Sequence, residues 1–448
     1  LSSEQALHDA LRQAAQEQRR PIAVANACNS AAIEWNSLGE YEKARRCAEH
    51  ARLLYARFAP NSLGLAHSLN NLGAIAYMQG DLGAAQQYFE QALPLYEQLT
   101  PNSPTLAVAL GNLGMLTQGR GDLRQAMRYY DRALKLFEQL EPNSLNLATT
   151  LNNISGVALQ MGDFSLAIWY LEQVLAIEEA IEPDSPRVAD TLNNLGYTLQ
   201  RLGMHREARE RYNRALALYE KHVPNSPRVA SILGNLGTLE SESGNWGQAR
   251  QYFERAHAII KQVAPDSLTA AIMLANLGAV AIAQGDLNRA EDYCQQAATL
   301  QERLAPDSLS HANTLQKLAR IALQRGQLPT AQSYLEKAIA IIEGQRRTLP
   351  DPETRTLFAE QHFDAYPLLA IVHLQLQQTA KAVETLERCR SRALAEAMQY
   401  RSQAIANLPK ALRQILEEQE RLSTQRLRAS QALLQAQAGR GSETSAPA

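Results

Sequence analysis

Nine histidines and four cysteines are the residues of this 448-residue chain with the most chemistry to offer, and their spacing offers little of it. A zinc site built on helices brings ligands together in close pairs, commonly two histidines four residues apart with a carboxylate nearby, and nucleophilic catalysis needs a Ser or Cys held against a base. The histidines fall in different registers and none is paired at i, i+4. They read as solvated or half-buried helix positions. Cys28, Cys47, Cys294 and Cys389 form no C-x-x-C pair, so each reads as a small buried hydrophobe, with a Cys28 to Cys47 bridge inside one helix pair as the alternative. The periodic glycines each stand between two helical patterns with no strand before them, which excludes a phosphate-cradling loop. No catalytic residue, metal ligand or cofactor is expected, and the chain is read as a binding protein rather than an enzyme.

What does recur is an amide. Asn71, Asn112, Asn153, Asn194, Asn235 and Asn276 follow one another at intervals of 41 residues, and Lys317 takes the seventh place. Asparagine is a mediocre helix former, so its return at mid-helix positions asks for a reason. Its carboxamide can donate to and accept from an extended peptide backbone at once, or it can bridge adjacent helices and stabilise the stack; both roles are open and compatible. Arg187 and Arg228 stand seven residues before Asn194 and Asn235, on about the same helical face in consecutive units. Their planar guanidinium groups suit a ligand carboxylate, although exposed arginines are ordinarily just solvated.

The elements that position these residues follow from one period. Pro-Asn/Asp-Ser begins at Pro60, Pro101, Pro142, Pro183, Pro224, Pro265 and Pro306, always 41 residues apart. Gly39, Gly80, Gly121, Gly162, Gly203, Gly244, Gly285 and Gly326 keep the same step, each followed five residues later by alanine, from Ala44 to Ala331. Apolar residues recur at steps of three and four on both sides of each glycine, as in Leu69, Leu72, Ala76 and then Ala85, Phe89, Ala92. Each unit is therefore two amphipathic helices, and the fold class is an all-α stack of about eight units in phase. The serine of each tripeptide is placed to cap the first helix, with Pro104, Pro186 and Pro227 at the first helical position. The glycine ends that helix in a left-handed conformation, and Asp81, Asp122, Asp163, Asn245 and Asp286 are placed to cap the second. Gly73, Gly114, Gly196, Gly237 and Gly278 are expected to face Ala85, Ala126, Ala208, Ala249 and Ala290, with Phe89, Tyr130, Tyr212 and Phe253 in the wedge behind.

A formal charge of −2 and a pI near 6.6, without blocks of like charge, give no footprint for nucleic acid or an anionic membrane. No apolar run reaches the roughly 18 to 20 residues that cross a bilayer. The expected compartment is the cytoplasm, although the sequence begins at Leu1 and an export signal removed before it would leave no trace.

Leu72-Gly73, Gly80, Ala85, Phe89 and Ala92, with their equivalents in later units, resemble the tetratricopeptide signature in a lengthened form. The Asn70-Asn71-Leu72-Gly73 and Asn193-Asn194-Leu195-Gly196 cores are similar to those of kinesin light chains and of bacterial multi-repeat signalling proteins. The resemblance covers about residues 21–400. It implies a right-handed superhelical solenoid whose first helices line a concave groove, where the ladder asparagines hold a peptide or partner domain. The domain reading is an N-terminal capping helix at 1–20, the array at 21–345, a divergent unit at 346–400, a linker helix at 401–436 and a flexible tail at 437–448. In the divergent unit Gln377 and Ala382 take the places of Gly326 and Ala331 after a step of 51. Arg355 to Tyr366 and Leu386 to Ala395 resemble the segment before the caspase-like CHAT protease domain of bacterial repeat proteases. That likeness implies a sensory or regulatory part, with the protease domain as an intramolecular partner, or alternatively the front of a cysteine protease whose catalytic domain is absent from this chain.

Overall fold

The computed structural model describes residues 21–349, 355, 358 and 364–389, and all regular structure among them is helical. The expected capping helix at 1–20, linker helix at 401–436 and tail at 437–448 lie outside the described residues. Eight antiparallel pairs follow in order. They are α1 (Pro21–Ser37) with α2 (Tyr41–Phe58), α3 (Leu63–Met78) with α4 (Leu82–Leu99), α5 (Pro104–Gly119) with α6 (Leu123–Leu140), and α7 (Leu145–Gln160) with α8 (Phe164–Ile181). Then come α9 (Pro186–Arg201) with α10 (His205–His222), α11 (Pro227–Glu242) with α12 (Trp246–Val263), α13 (Leu268–Ala283) with α14 (Leu287–Leu304), and α15 (Leu309–Gln324) with α16 (Leu328–Thr348). A last helix, α17 (Ala365–Gln375), precedes a helical stretch over 379–389. The chain divides into two compact units, the first ending at Ile259 and the second starting at Ile260.

The caps form where the sequence places them. Ser103 Oγ accepts from Leu106 N at 3.2 Å and Asp122 Oδ1 from Gln125 N at 3.0 Å, so α5 and α6 each have an orphan donor satisfied at the start. Gly121 between them has φ +83°, a left-handed conformation that only glycine adopts without cost. Asn245 departs from the expected pattern: its amide donates to Glu240 Oε2 at 2.7 Å. The buried Glu240 carboxylate also takes Arg209 Nε at 2.7 Å, and this demand draws the amide away from the cap role.

Second helices bury one stripe. In α6 it is Ala126, Tyr130, Ala133 and Phe137, while Arg128, Arg132 and Lys135 face solvent. First helices bury more, because each packs on its partner and on neighbouring first helices. In α5 Leu106, Ala107, Leu110, Leu113 and Leu116 are all covered. Gly114 makes this possible, though not as expected. A Cβ there would meet the Tyr130 ring at 2.6 Å, and at Gly196 the Tyr212 ring at 2.7 Å, so the glycines seat the aromatic ring itself rather than the alanine. The reason is size: an alanine leaves a gap that a ring fills, and a fully buried Tyr or Phe contributes on the order of 2–3 kcal/mol. Each buried hydroxyl finds an acceptor one turn from the turn glycine, Tyr130 on Gln118 Oε1 at 3.2 Å and Tyr212 on Gln200 Oε1 at 3.0 Å.

In the second unit one core cluster runs from Ala281 to Val372 and joins α17 to the pairs before it. Gln377 has φ +59° where earlier pairs use glycine, and Ala382 is buried where they use alanine. Gln378 N bonds His373 O at 2.8 Å, as Asp81 N bonds Ala76 O at 2.9 Å, so the step of 51 reproduces the turn. No disulfide bridge joins Cys28 to Cys47. Burial first, and then the neighbouring Cys47, pushes the Cys28 thiol up to about 11, so it stays protonated and packs as a small hydrophobe.

Candidate functional site

The exposed face of a first helix is set by its packing. Once the leucines and alanines turn inward, the residues left facing outward in α3, α5, α7 and α9 include the asparagines and the positions one turn to either side. All six ladder asparagines, from Asn71 to Asn276, are half-buried, and so is Lys317 in the seventh place. Burial lowers the Lys317 pKa, against the opposing influence of Cys294.

Four of the ladder amides are committed to the stack. Asn71 Nδ2 donates to Asn29 Oδ1 at 3.4 Å, Asn112 to Asn70 at 3.0 Å, Asn194 to Asn152 at 3.4 Å and Asn235 to Asn193 at 2.9 Å. Each bond runs back 42 residues, from the ladder asparagine of one unit to the asparagine just before the ladder position of the preceding one. The acceptors Asn29, Asn70, Asn152 and Asn193 are the residues that sequence reasoning missed. For three of them the signal was present in the Asn-Asn doublets Asn70-Asn71, Asn152-Asn153 and Asn193-Asn194, whereas Asn29 is followed by Ser30. Glycines stand 42 residues before the other two ladder asparagines, Gly111 before Asn153 and Gly234 before Asn276, and the Asn153 amide has no hydrogen-bond partner among the described residues.

The arginines separate in the same way. Arg228 pairs with Asp190 of α9, whose Oδ1 also receives the Tyr219 hydroxyl at 2.6 Å. Burial and then that carboxylate raise the Tyr219 pKa. Arg187 is exposed and makes no ion pair among the described residues.

At the first-unit end of the ladder a cleft of about 750 Å³ opens on the first helices of four consecutive pairs. Asn26, Asn29, Ser30 and Ile33 of α1 line it, with Leu63, Gly64, His67, Asn70 and Asn71 of α3, Pro104, Thr105 and Val108 of α5, and Asn146 of α7. Tyr55 and Tyr96 close its floor from the second helices. None of these residues carries a formal charge. Burial lowers the His67 pKa, its ring stacks on Tyr96 at 5.6 Å, and its Nε2 is buried without a hydrogen-bond partner among the described residues. Ile33 and Val108 leave 59% and 42% of their surface exposed, giving apolar footholds beside the amides.

A second cleft of about 540 Å³ lies in the second unit between α16, α17 and the stretch over 379–389, lined by Glu343, Tyr366, His373, Lys381 and Arg388 among others. The longer step before the last pair is its signal in the sequence. Among the described residues no three His, Cys, Asp or Glu side chains gather as metal ligands, and no helix is long and apolar enough to cross a membrane.

A model of the tetratricopeptide repeat matches residues 22–98, 105–180, 170–221, 187–262 and 268–343. The chain belongs to the tetratricopeptide-repeat family. Its 41-residue period makes it a long-repeat member, and the repeats support a protein-interaction scaffold role. Among solved structures it is similar to a Rap protein complexed with competence and sporulation factor, at 15% identity and a TM-score of 0.52, covering 84% of this chain and 99% of that one. The apo form of RapI is 16% identical with a TM-score of 0.51, over 63% of this chain and 99% of that one. BtubC (BKLC) from P. vanneervenii is 26% identical with a TM-score of 0.44, over 50% and 91% of the two chains. The two Rap proteins share the fold. The sequence has no significant match among curated proteins.

Proposed function

We propose that this protein is a scaffold that holds an extended, largely uncharged peptide segment along the first helices of its units. The observation that carries this function is the cleft on α1, α3, α5 and α7: amide and hydroxyl side chains that can satisfy a peptide main chain alternate with the exposed Ile33 and Val108. An extended main chain offers alternating donors and acceptors, and apolar footholds between them read its side chains. The absence of formal charge in the lining disfavours an acidic ligand there; Arg187, with Arg228 already held by Asp190, is the remaining place for a carboxylate. The similar Rap protein is complexed with competence and sporulation factor, which is compatible with a repeat stack of this kind taking up a partner. The likeness of Arg355 to Tyr366 and Leu386 to Ala395 to the segment before CHAT domains supports a regulatory place within a longer bacterial protein, with the repeat array as its sensor.

The test is a peptide selected from a random display library against the full chain, synthesised, and titrated calorimetrically into the wild type and into Val108→Arg. The exposed arginine should lower affinity at least about tenfold, equivalent to ~1.4 kcal/mol, with an unchanged melting temperature. Equal affinity for both proteins would remove the cleft as the binding site.

A further inference from the structure

Second helices of neighbouring pairs are tied by a recurring ion pair. Arg132 meets Glu97 at 2.6 Å, Arg214 meets Glu179 at 2.5 Å, and Arg255 meets Glu220, the arginine always 35 residues after the carboxylate. With the longer step before the last pair, Glu343 and Arg388 take these two places. They do not form the pair.

Tyr366 is the reason. It stands on α17 where the earlier first helices carry leucine, from Leu69 to Leu315, and its hydroxyl donates to Glu343, which Arg346 Nη2 also reaches at 3.4 Å. The Glu343 side chain is therefore only 7% exposed, against 42% for Glu97 and 35% for Glu220. A carboxylate satisfied from within leaves its usual partner unspent. Arg388 is exposed and makes no ion pair or side-chain hydrogen bond among the described residues.

The floor between these helices has also changed in size. Besides Tyr366 for leucine, the buried His373 stands where Ala281 and Ala322 stood, and over these larger residues opens the cleft of about 540 Å³. Such a volume is that of small-molecule sites, roughly 300–1,000 Å³. Two further cations line it. Arg347 lies on the turn by which α16, at 21 residues, outruns the 18 of α14, and Lys381 lies on the stretch over 379–389; both are exposed and unpaired among the described residues. Of the carboxylates in the lining, Glu343 is already held by Arg346, which leaves Glu336 and Glu384 against three cations. One added negative group balances them. Ile339 and Leu369 supply an apolar surface in the same lining.

We infer that this cleft binds a small organic oxyanion, its carboxylate or phosphoryl group held by Arg388 and Arg347 with Lys381 beside them, and its apolar body lying on Ile339 and Leu369. The planar fork of a guanidinium matches either group through two parallel hydrogen bonds. The site belongs to the second unit alone and is independent of the peptide cleft.

Calorimetric titration of the full chain with phenyl phosphate, benzoate and inorganic phosphate tests this. At least one of the two aromatic anions is expected to saturate a single site, the tighter of them naming the oxyanion, and inorganic phosphate should bind at least about tenfold more weakly than that one. Arg388→Gln removes an exposed, unpaired side chain, so the melting temperature should hold while affinity for the tighter anion falls at least about tenfold. Arg347→Gln should lose affinity too, Arg388→Lys should lose less than Arg388→Gln, and Arg206→Gln, at an exposed arginine of α10, should lose none. Three results would each overturn the site: no saturable binding of either aromatic anion, a loss in Arg206→Gln as large as in Arg388→Gln, or inorganic phosphate binding as tightly as the aromatic anions.

Discussion

Asn235 Nδ2 lies 2.9 Å from Asn193 Oδ1, an amide-to-amide bond across the joint between α9 and α11. Both side chains are half-buried, so truncating one strands the other where water only partly replaces it. Asn235→Ala should therefore lower stability by about 1 kcal/mol, and Asn112→Ala by a similar amount, whereas Asn153→Ala should cost nothing beyond what alanine's helix propensity returns. Urea unfolding of the three variants checks the difference.

Glycines on two faces of the first helices should answer in opposite directions. Gly196→Ala places a methyl 2.7 Å from Tyr212 Cδ1 and Cε1, and the ring has a buried hydroxyl bond to keep, so a loss of about 1–3 kcal/mol is expected. Gly111→Ala meets nothing and should gain up to about 1 kcal/mol from helix propensity. Thermal unfolding of the pair, followed by circular dichroism, gives both signs in one experiment.

Gln377 is the non-glycine residue among those described that adopts a positive φ, +59°, at the turn of the last helix pair. A side chain there costs roughly 1–2 kcal/mol that glycine avoids, set against the entropy glycine loses on folding. Gln377→Gly should stabilise that pair by up to about 1 kcal/mol, read as slower amide exchange in α17.

Acid should weaken the first unit through His67. Burial depresses its pKa in the folded state, so the unfolded chain takes the proton first. The contribution is fully present above the unfolded value of about 6.5 and is lost as pH falls through the folded one. The wild type should lose more melting temperature than His67→Gln between neutral pH and pH ~5.5, a window that brackets the ordinary histidine value. Equal losses would show that another group governs the acid limb.

The fold was legible because one period governed everything. Ser103, Asp122 and Gly121 announce caps and a turn from local chemistry alone, and the structure places them there. The partners of the small residues were not legible. That Gly196 seats Tyr212 and not Ala208 depends on how far a ring reaches across a helix pair, which spacing does not encode. The site was half legible for a similar reason. The sequence shows that Asn153 and Asn194 recur in phase, but only the register of one first helix on the next shows that Asn194 meets Asn152 while Asn153 meets the gap at Gly111. Asn245 was misread because a buried carboxylate, Glu240, competes for the amide that would otherwise cap α12.

The central claim is that a peptide lies on the first helices, and photo-crosslinking tests it most directly. A selected peptide carrying a benzoylphenylalanine at successive positions is irradiated with the full chain, and the adducts are located by mass spectrometry. Adducts are expected on Ile33, His67, Val108 and Thr149, along the exposed faces of α1, α3, α5 and α7. Adducts confined to second helices, for instance on the exposed Trp169 of α8, would contradict it.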